Sequence, residues 1–235
     1  MLSNILFDLD GTLTDPKDGI TRCIQFALDQ LGATSPGVDQ LDWCIGPPLR
    51  GSFSRLLNTK DGTLLDQALF NYRKRFSECG MFENVIYPEV IPSLRRIKAA
   101  GFRVFLATSK PKVFAKQIID YFNLTPFFDA VYGSELNGHL SDKSELVAHI
   151  LDTENLDPKT TLIVGDRSHD IIGGKKNCIM TAAVSYGYGS REELTLSKPD
   201  FIFDTISDLA VFIESETTPN IAFQRMANSG ALKRN

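Results

Sequence analysis

Short apolar segments alternate with longer amphipathic segments over most of the chain. The short segments, rich in aliphatic and β-branched residues, predict strands at residues 4–10, 103–108, 130–132, 161–164, 181–185 and 201–203. Apolar residues at three- and four-residue spacing predict helices at residues 88–100, 111–122, 144–151 and 206–213. Strands and helices therefore alternate from residue 88 onward, which is typical of parallel βαβ units. The pattern predicts an α/β fold around a parallel sheet.

The alternation stops between residues 16 and 87. Apolar periodicity there predicts helices at residues 18–31 and 65–76, and the segment between them is loop-rich. Because this unit begins just after the first strand and ends just before the alternation resumes, we expect a helical insertion with hinges at Asp15-Pro16 and Tyr87-Pro88. The expected domains are a core of residues 1–15 and 88–213, an inserted helical cap of residues 16–87, and a polar C-terminal tail of residues 214–235.

Composition narrows the class of partner. An apolar fraction of 43% and a net charge of −4 are typical of a globular protein without a general polyanion-binding surface, so we expect no nucleic acid polymer as a partner. The first apolar segment is short and ends in a carboxylate, which argues against a signal peptide or a membrane span. We therefore expect a cytoplasmic protein with no membrane partner, and the sequence does not set its oligomeric state.

The four cysteines are widely and irregularly spaced. They contain no C-x-x-C pair, which argues against a zinc site and against a disulfide framework. We expect most of them to be buried thiols; they are Cys23, Cys44, Cys79 and Cys178.

Four carboxylates follow two of the predicted strands. Asp8 and Asp10 end the first strand, and Asp166 and Asp170 follow the strand at residues 161–164. Ligands of open α/β sheets bind at the carboxyl ends of the strands, so these side chains are expected at one edge. Buried like charges repel and lose hydration unless a cation lies between them, and several carboxylates without histidine or cysteine suit Mg²⁺. A helix-capping role for Asp166 or Asp170 alone is the competing interpretation.

These residues belong to sequence motifs with a family resemblance. "DLDGT" with Asp15 three residues beyond it, the strand-terminal Thr108 in "LATSK", a later lysine and "GDRSHD" resemble the four motifs of haloacid dehalogenase superfamily phosphatases. The resemblance covers residues 1–213, and "IGPPLRGSF" is similar to the cap of the phosphoglycolate phosphatase-like branch. It implies a Rossmann-like parallel core with an inserted α-helical cap.

The resemblance also implies roles for individual residues. Asp8 would be the nucleophile that forms an aspartyl-phosphate, and Asp10 would protonate the leaving oxygen and then activate water. Mg²⁺ would be bound by Asp8, the main-chain carbonyl of Asp10 and Asp166, with Asp170 nearby. The phosphoryl oxygens would be held by Thr108, by a lysine and by main-chain amides near Gly11 and Ser109.

Two lysines are candidates for the phosphoryl contact. Lys110 lies close to Thr108, whereas Lys143 is expected in the first turn of a helix capped by Ser141 or Asp142. The helix dipole disfavours a cation there unless an anion compensates it, and this favours Lys143.

The sequence therefore predicts a phosphoric monoester hydrolase that acts on a small phosphorylated metabolite with Mg²⁺. The resemblance to the phosphoglycolate phosphatase-like branch favours phosphoglycolate as the substrate, and 5′-nucleotides come next. Arg50 of the cap is the candidate for substrate selection, since its planar fork matches a carboxylate, and a surface cation is the competing interpretation. A phosphomutase on the same scaffold and a non-enzymatic phospho-receiver domain are alternatives, whereas Asp10 has no role in a dehalogenase. We interpret His169 as an exposed side chain and the glycine-rich residues 185–190 as an ordinary turn.

Overall fold

Six parallel strands form the central sheet of the structure, a computed structural model that describes residues 2–217. The strands in chain order are β1 (Asn4–Phe7), β2 (Thr14–Asp15), β3 (Val85–Ile86), β4 (Arg103–Pro111), β5 (Ala130–Ser134), β6 (Thr161–Gly165), β7 (Met180–Val184) and β8 (Phe201–Phe203). The sheet has the order β5-β4-β1-β6-β7-β8, and every neighbouring pair in it is parallel. The predicted α/β fold class, a Rossmann-like parallel core with an inserted helical cap, is confirmed.

Helices pack on both faces of this sheet. They are α1 (Lys17–Gln30), α2 (Leu49–Leu56), α3 (Gly62–Arg75), α4 (Val90–Ala99), α5 (Lys112–Tyr121), α6 (Lys143–Thr153), α7 (Ser168–Lys176), α8 (Arg191–Ser197) and α9 (Ile206–Thr217). Helices α4, α5 and α9 bury their apolar residues in one core cluster, and α6 packs into a second cluster. Alternate residues of β1 belong to different clusters: Ile5 and Phe7 to the first, and Leu6 to the second. A strand buried on both faces is a continuous apolar run, which is why the pattern predicted it.

Residues 16–87, called the insert below, contribute the helices α1, α2 and α3. Helix α1 packs against α3, and α3 packs against α2. A π-helical turn at Phe76–Gly80 continues α3 toward the core. The two ends of the insert meet, because β2 pairs with β3 in an antiparallel ribbon in which Thr14 lies opposite Ile86. The apolar pattern did not predict this ribbon at the expected hinges.

The last helix runs further than the sequence analysis predicted. Helix α9 continues to Thr217, so the first residues assigned to the polar tail are helical. The rest of the predicted tail, residues 218–235, lies outside the described residues.

The predictions for the cysteines and for membrane-spanning segments can be compared with the structure. All four cysteines are free thiols; Cys23 and Cys44 are buried, but Cys79 and Cys178 are exposed, so the expectation that most are buried fails for two of them. Within residues 2–217, the helices are all too short or too polar to span a bilayer.

Candidate active site

The loop after β1 carries the first two carboxylates into the edge of the sheet. The amide of Asp8 donates to the carbonyl of Val164 at 2.9 Å, which extends the strand pairing beyond Phe7. Asp8 is 5% exposed and Asp10 is 7% exposed. The chain then turns at Gly11, where φ is +82° and a Cβ atom would lie 2.2 Å from Asp166 Oδ2. Only glycine fits this turn without displacing that carboxylate.

Three carboxylates from two strand ends form one buried cluster. Oxygen atoms of Asp8, Asp166 and Asp170 lie within 4.8 Å of one another. Asp166 follows β6 directly, and Asp170 reaches back from the first turn of α7, where its Oδ2 accepts from the amide of Arg167 at 3.2 Å. The structure thus brings together three of the four carboxylates that the sequence analysis placed at one edge.

Lys143 is the cation of this cluster. Its Nζ lies 2.9 Å from Asp8 Oδ1 and 2.8 Å from Asp170 Oδ1, and it donates to the carbonyl of Ala107 at 2.8 Å. Asp142 caps the helix through the amides of Ser144 and Glu145, so Lys143 begins α6. Burial disfavours the ammonium ion, but the two carboxylates more than offset this and raise the pKa of Lys143.

Asp10 lies outside the cluster and pairs with the other candidate lysine. Lys110 Nζ is 2.7 Å from Asp10 Oδ2, and the same ammonium group lies 4.8 Å from the centroid of the Phe76 ring. Burial raises the pKa of Asp10, while Lys110 opposes that rise. A carboxylate whose pKa is raised is suited to hold and release a proton.

The charges of the cluster fit a divalent cation. Burial, followed by the neighbouring Asp170 and Asp8, raises the pKa of Asp166 well above its usual range. The ion pairs with Lys143 are the contacts of the buried Oδ1 atoms of Asp8 and Asp170, and neither atom accepts a further hydrogen bond from residues 2–217. With its three carboxylates ionised, the cluster and the ammonium group of Lys143 together carry two negative charges. Buried oxygen ligands with that surplus are what Mg²⁺ requires.

The predicted phosphoryl-binding residues lie around the cluster. Thr108 is 2% exposed, and its Oγ1 accepts from the amide of Lys110 at 3.2 Å. Ser109 lines the large pocket described below, and its carbonyl accepts from the Ser134 hydroxyl at 2.8 Å. The amide of Gly11 donates to the carbonyl of Thr14 at 2.8 Å, so this amide is already used inside the loop.

Sequence reasoning missed the support that the glycine-rich loop after β7 gives to Asp166. The amide of Tyr188 donates to Asp166 Oδ2 at 2.7 Å, and the Tyr188 hydroxyl donates to Asp15. Tyr186 reaches the same region, where its hydroxyl donates to the carbonyl of Thr12 at 2.7 Å. This loop is not the ordinary turn that its glycines predict, because it orients a carboxylate of the cluster. The exposure of His169, by contrast, agrees with its interpretation.

Arg167 connects the cluster to the insert. Its guanidinium group donates to the carbonyl of Ile45 in the insert and, at 3.0 Å, to Glu193 of α8. Arg167 directly follows Asp166, so one loop contacts both parts of the chain. The motif "GDRSHD" did not reveal this contact, because its partner lies in a distant segment.

A pocket of about 900 Å³ lies between the insert and the core. Asp10 and Lys110 lie in its lining, which places the pocket directly beside the candidate site. Aromatic side chains from both parts of the chain form much of its wall; they are Phe70, Tyr72, Phe76 and Phe114. The pocket is therefore a place for the organic part of a ligand whose reacting group lies at Asp10.

Arg50 lines the same pocket but is not free. Its guanidinium group pairs with Asp66, and both side chains are at least half exposed. A substrate carboxylate at Arg50 would have to compete with Asp66.

Residues 5–184 match the family model described as haloacid dehalogenase-like hydrolase. The chain belongs to this family. The matched residues include the carboxylates after β1 and β6. The predicted enzyme class, a phosphoric monoester hydrolase, is confirmed by this family together with relatives that are named as phosphatase and nucleotidase.

Relatives of this hydrolase have different names. The chain is 41% identical to the 5′-nucleotidase of Pseudomonas aeruginosa over 90% of its own length and 96% of that protein. It is 34% identical to the tyrosine-protein kinase PtkA of Mycobacterium tuberculosis over 79% of its length and 62% of that protein. It is 30% identical to the phosphoglycolate phosphatase of Aquifex aeolicus over 90% of its length and 96% of that protein.

A solved structure supports the same family assignment. A predicted phosphatase from Clostridium acetobutylicum superimposes with a TM-score of 0.87 at 38% identity, covering 91% of this chain and 99% of that one. The fold of this hydrolase, insert included, is thus shared almost over the full length of that protein.

Proposed function

We propose that the protein is a magnesium-dependent phosphatase that hydrolyses nucleoside 5′-monophosphates through an aspartyl-phosphate on Asp8. The observation that carries the choice of substrate is the pocket of about 900 Å³ with aromatic walls beside Asp10. Pockets of this size accept ligands as large as cofactors and drugs, and a nucleoside has both the size and the flat apolar base for such a wall. The similarity to a protein named 5′-nucleotidase supports the same choice.

In the first step of the proposed reaction, a carboxylate oxygen of Asp8 bonds to phosphorus. The ester oxygen leaves and takes a proton from Asp10, so the free alcohol is released. In the second step Asp10 accepts a proton from water as that water bonds to phosphorus. The bond between Asp8 and phosphorus breaks, which releases inorganic phosphate and restores the carboxylate of Asp8.

The remaining site residues would hold the phosphoryl group during both steps. Thr108, the main chain at Ser109 and Lys143 would contact its oxygens, whereas Gly11 is needed for its lack of a side chain. Asp8, Asp166 and the main-chain carbonyl of Asp10 would bind Mg²⁺, with Asp170 held by Lys143 beside them. Bound there, Mg²⁺ would offset negative charge on the phosphoryl oxygens.

Phosphoglycolate, the favoured substrate of the sequence analysis, becomes the second candidate. Its two-carbon acid would fill a small part of the pocket and would leave the aromatic wall without contact. The observation in its favour is Arg50, which lines the pocket and offers a carboxylate two parallel hydrogen bonds.

A panel of phosphate esters tests the proposal. With Mg²⁺ present, we expect kcat/KM for nucleoside 5′-monophosphates to exceed that for phosphoglycolate by about tenfold or more, and chelation to abolish both activities. Turnover that survives chelation would contradict the metal site. A stable phosphoprotein without release of phosphate would favour a phospho-receiver domain, and transfer of the phosphoryl group to a second hydroxyl of the substrate would favour a phosphomutase.

The role of Arg50 has its own test. If Arg50 binds a substrate carboxylate, Arg50→Ala should lower kcat/KM for phosphoglycolate by about 1.5–3 kcal/mol of transition-state stabilisation, and an uncharged aryl phosphate should be unaffected. The measurement is steady-state kinetics with both substrates.

Arg55→Ala is the matched control for this variant. Arg55 lies on the same helix α2, with its guanidinium 4.4 Å from the centroid of the Trp43 ring, and it is not part of the pocket lining. An equal loss on both substrates for Arg50→Ala would assign Arg50 to the phosphoryl group or to the insert's position. No loss on either would leave it as a surface cation paired with Asp66.

A further inference from the structure

Tyr72 is a buried residue that lines the wall of the pocket. The residue is 4% exposed and lines the pocket together with Asp10. Its ring is fixed from two sides, since it stacks on Phe76 with centroids 5.3 Å apart and meets Phe53 edge-on at 6.2 Å. The side chain therefore has little freedom to turn its hydroxyl elsewhere.

This hydroxyl has no hydrogen-bond partner among residues 2–217. Burial is the main cause of the raised pKa of Tyr72, and Cys23 followed by Asp10 adds to it. The hydroxyl oxygen is not among the fully buried polar atoms that lack a partner, so it is open to water or to a ligand in the pocket. The other rings that surround Tyr72 belong to phenylalanine, so packing alone does not require a hydroxyl group at this position.

We propose that the Tyr72 hydroxyl hydrogen-bonds the alcohol portion of the substrate, which in a nucleoside 5′-monophosphate is a ribose hydroxyl. This inference rests on the proposed function, because it needs the phosphoryl group at Asp8 and the organic part in the pocket. A rigid phenol beside Asp10 then selects esters that carry a second hydroxyl near the scissile bond. A substrate that lacks this hydroxyl would leave the Tyr72 hydroxyl without its hydrogen bond. The lost hydrogen bond would lower kcat/KM for that substrate.

The test compares Tyr72→Phe with wild type on adenosine 5′-monophosphate and 2′,3′-dideoxyadenosine 5′-monophosphate, with Mg²⁺ present. Wild type should prefer the ribonucleotide by about tenfold in kcat/KM, and Tyr72→Phe should lose that preference. The thermal midpoint of Tyr72→Phe should equal or exceed that of wild type, because no hydrogen bond within the protein is lost.

Tyr132→Phe is the matched control. The Tyr132 hydroxyl donates to Glu154 at 2.6 Å, and the residue is not part of the pocket lining, so the preference between the two nucleotides should persist. Equal losses of Tyr72→Phe on both nucleotides, or an unchanged preference, would overturn the inference while leaving the proposed function intact. Failure of wild type to hydrolyse either nucleotide, with turnover of other esters, would overturn both.

Discussion

Replacement of Asp8 by Asn is expected to abolish turnover and aspartyl-phosphate formation, whereas Asp10→Asn should slow turnover by about 10²- to 10⁴-fold. An amide at residue 8 is a poor nucleophile, and an amide at residue 10 cannot exchange a proton with the leaving oxygen or with water. Asp10→Asn should still form some phosphoenzyme from an aryl phosphate, because that leaving group needs little protonation. Steady-state kinetics and intact-mass detection of the phosphoprotein measure the two effects.

Stability measurements separate chemistry from folding in this pair of variants. Asp8 shares a buried cluster with Asp166 and Asp170, so the metal-free Asp8→Asn protein should melt at or above the wild-type temperature. Asp29→Asn, which removes an exposed carboxylate at the end of α1, serves as the control and should retain activity. Mild and equal losses for Asp8→Asn and Asp10→Asn would contradict the proposed roles.

Replacement of Lys143 by Met should lower the free energy of unfolding of the metal-free protein by about 3–5 kcal/mol. The change leaves Asp8, Asp166 and Asp170 buried together without their ammonium partner, although the methionine keeps most of the side-chain volume. Urea unfolding with chelator present measures the loss. Phosphatase activity should also fall, because in the proposed reaction the same lysine contacts the phosphoryl group.

Lys159→Met is the control for this effect. Lys159 is exposed, and a change there should alter the free energy of unfolding by less than about 0.5 kcal/mol. A similarly small change for Lys143→Met would mean that the carboxylates are protonated in the metal-free protein. Saturating Mg²⁺ should stabilise wild type, since a ligand that binds only the folded state raises its stability.

The strands and the acidic sheet edge could be predicted because local sequence determines both. β1 and β6 are buried on both faces, so their apolar runs are uninterrupted, and the carboxylates follow at once in the chain. Asp142 as a helix cap and the resulting position of Lys143 were also local properties, and one of the two predicted capping residues is the one observed.

The partners of these residues could not be predicted from local sequence. Lys143 meets Asp8, and Tyr188 meets Asp166, through contacts that depend on the order of the strands in the sheet. The ribbon of β2 and β3 has two residues in each strand, which is too short for an alternating pattern to appear. The pairing of Arg50 with Asp66 likewise joins two different helices of the insert.

The ribbon of β2 and β3 allows the length of the insert to vary. Because Thr14 and Asp15 pair with Ile86 and Val85, the chain leaves the sheet and returns to it at the same place. The register of β1 against β4 and β6 is fixed by hydrogen bonds outside this excursion, so the number of residues between the two halves of the ribbon does not set the geometry of the carboxylate cluster. The entropic cost of closing the chain segment between the paired ends rises only slowly with the length of that segment. The insert is thus a module: the pocket wall that it supplies can be exchanged while the phosphoryl-transfer residues keep their positions.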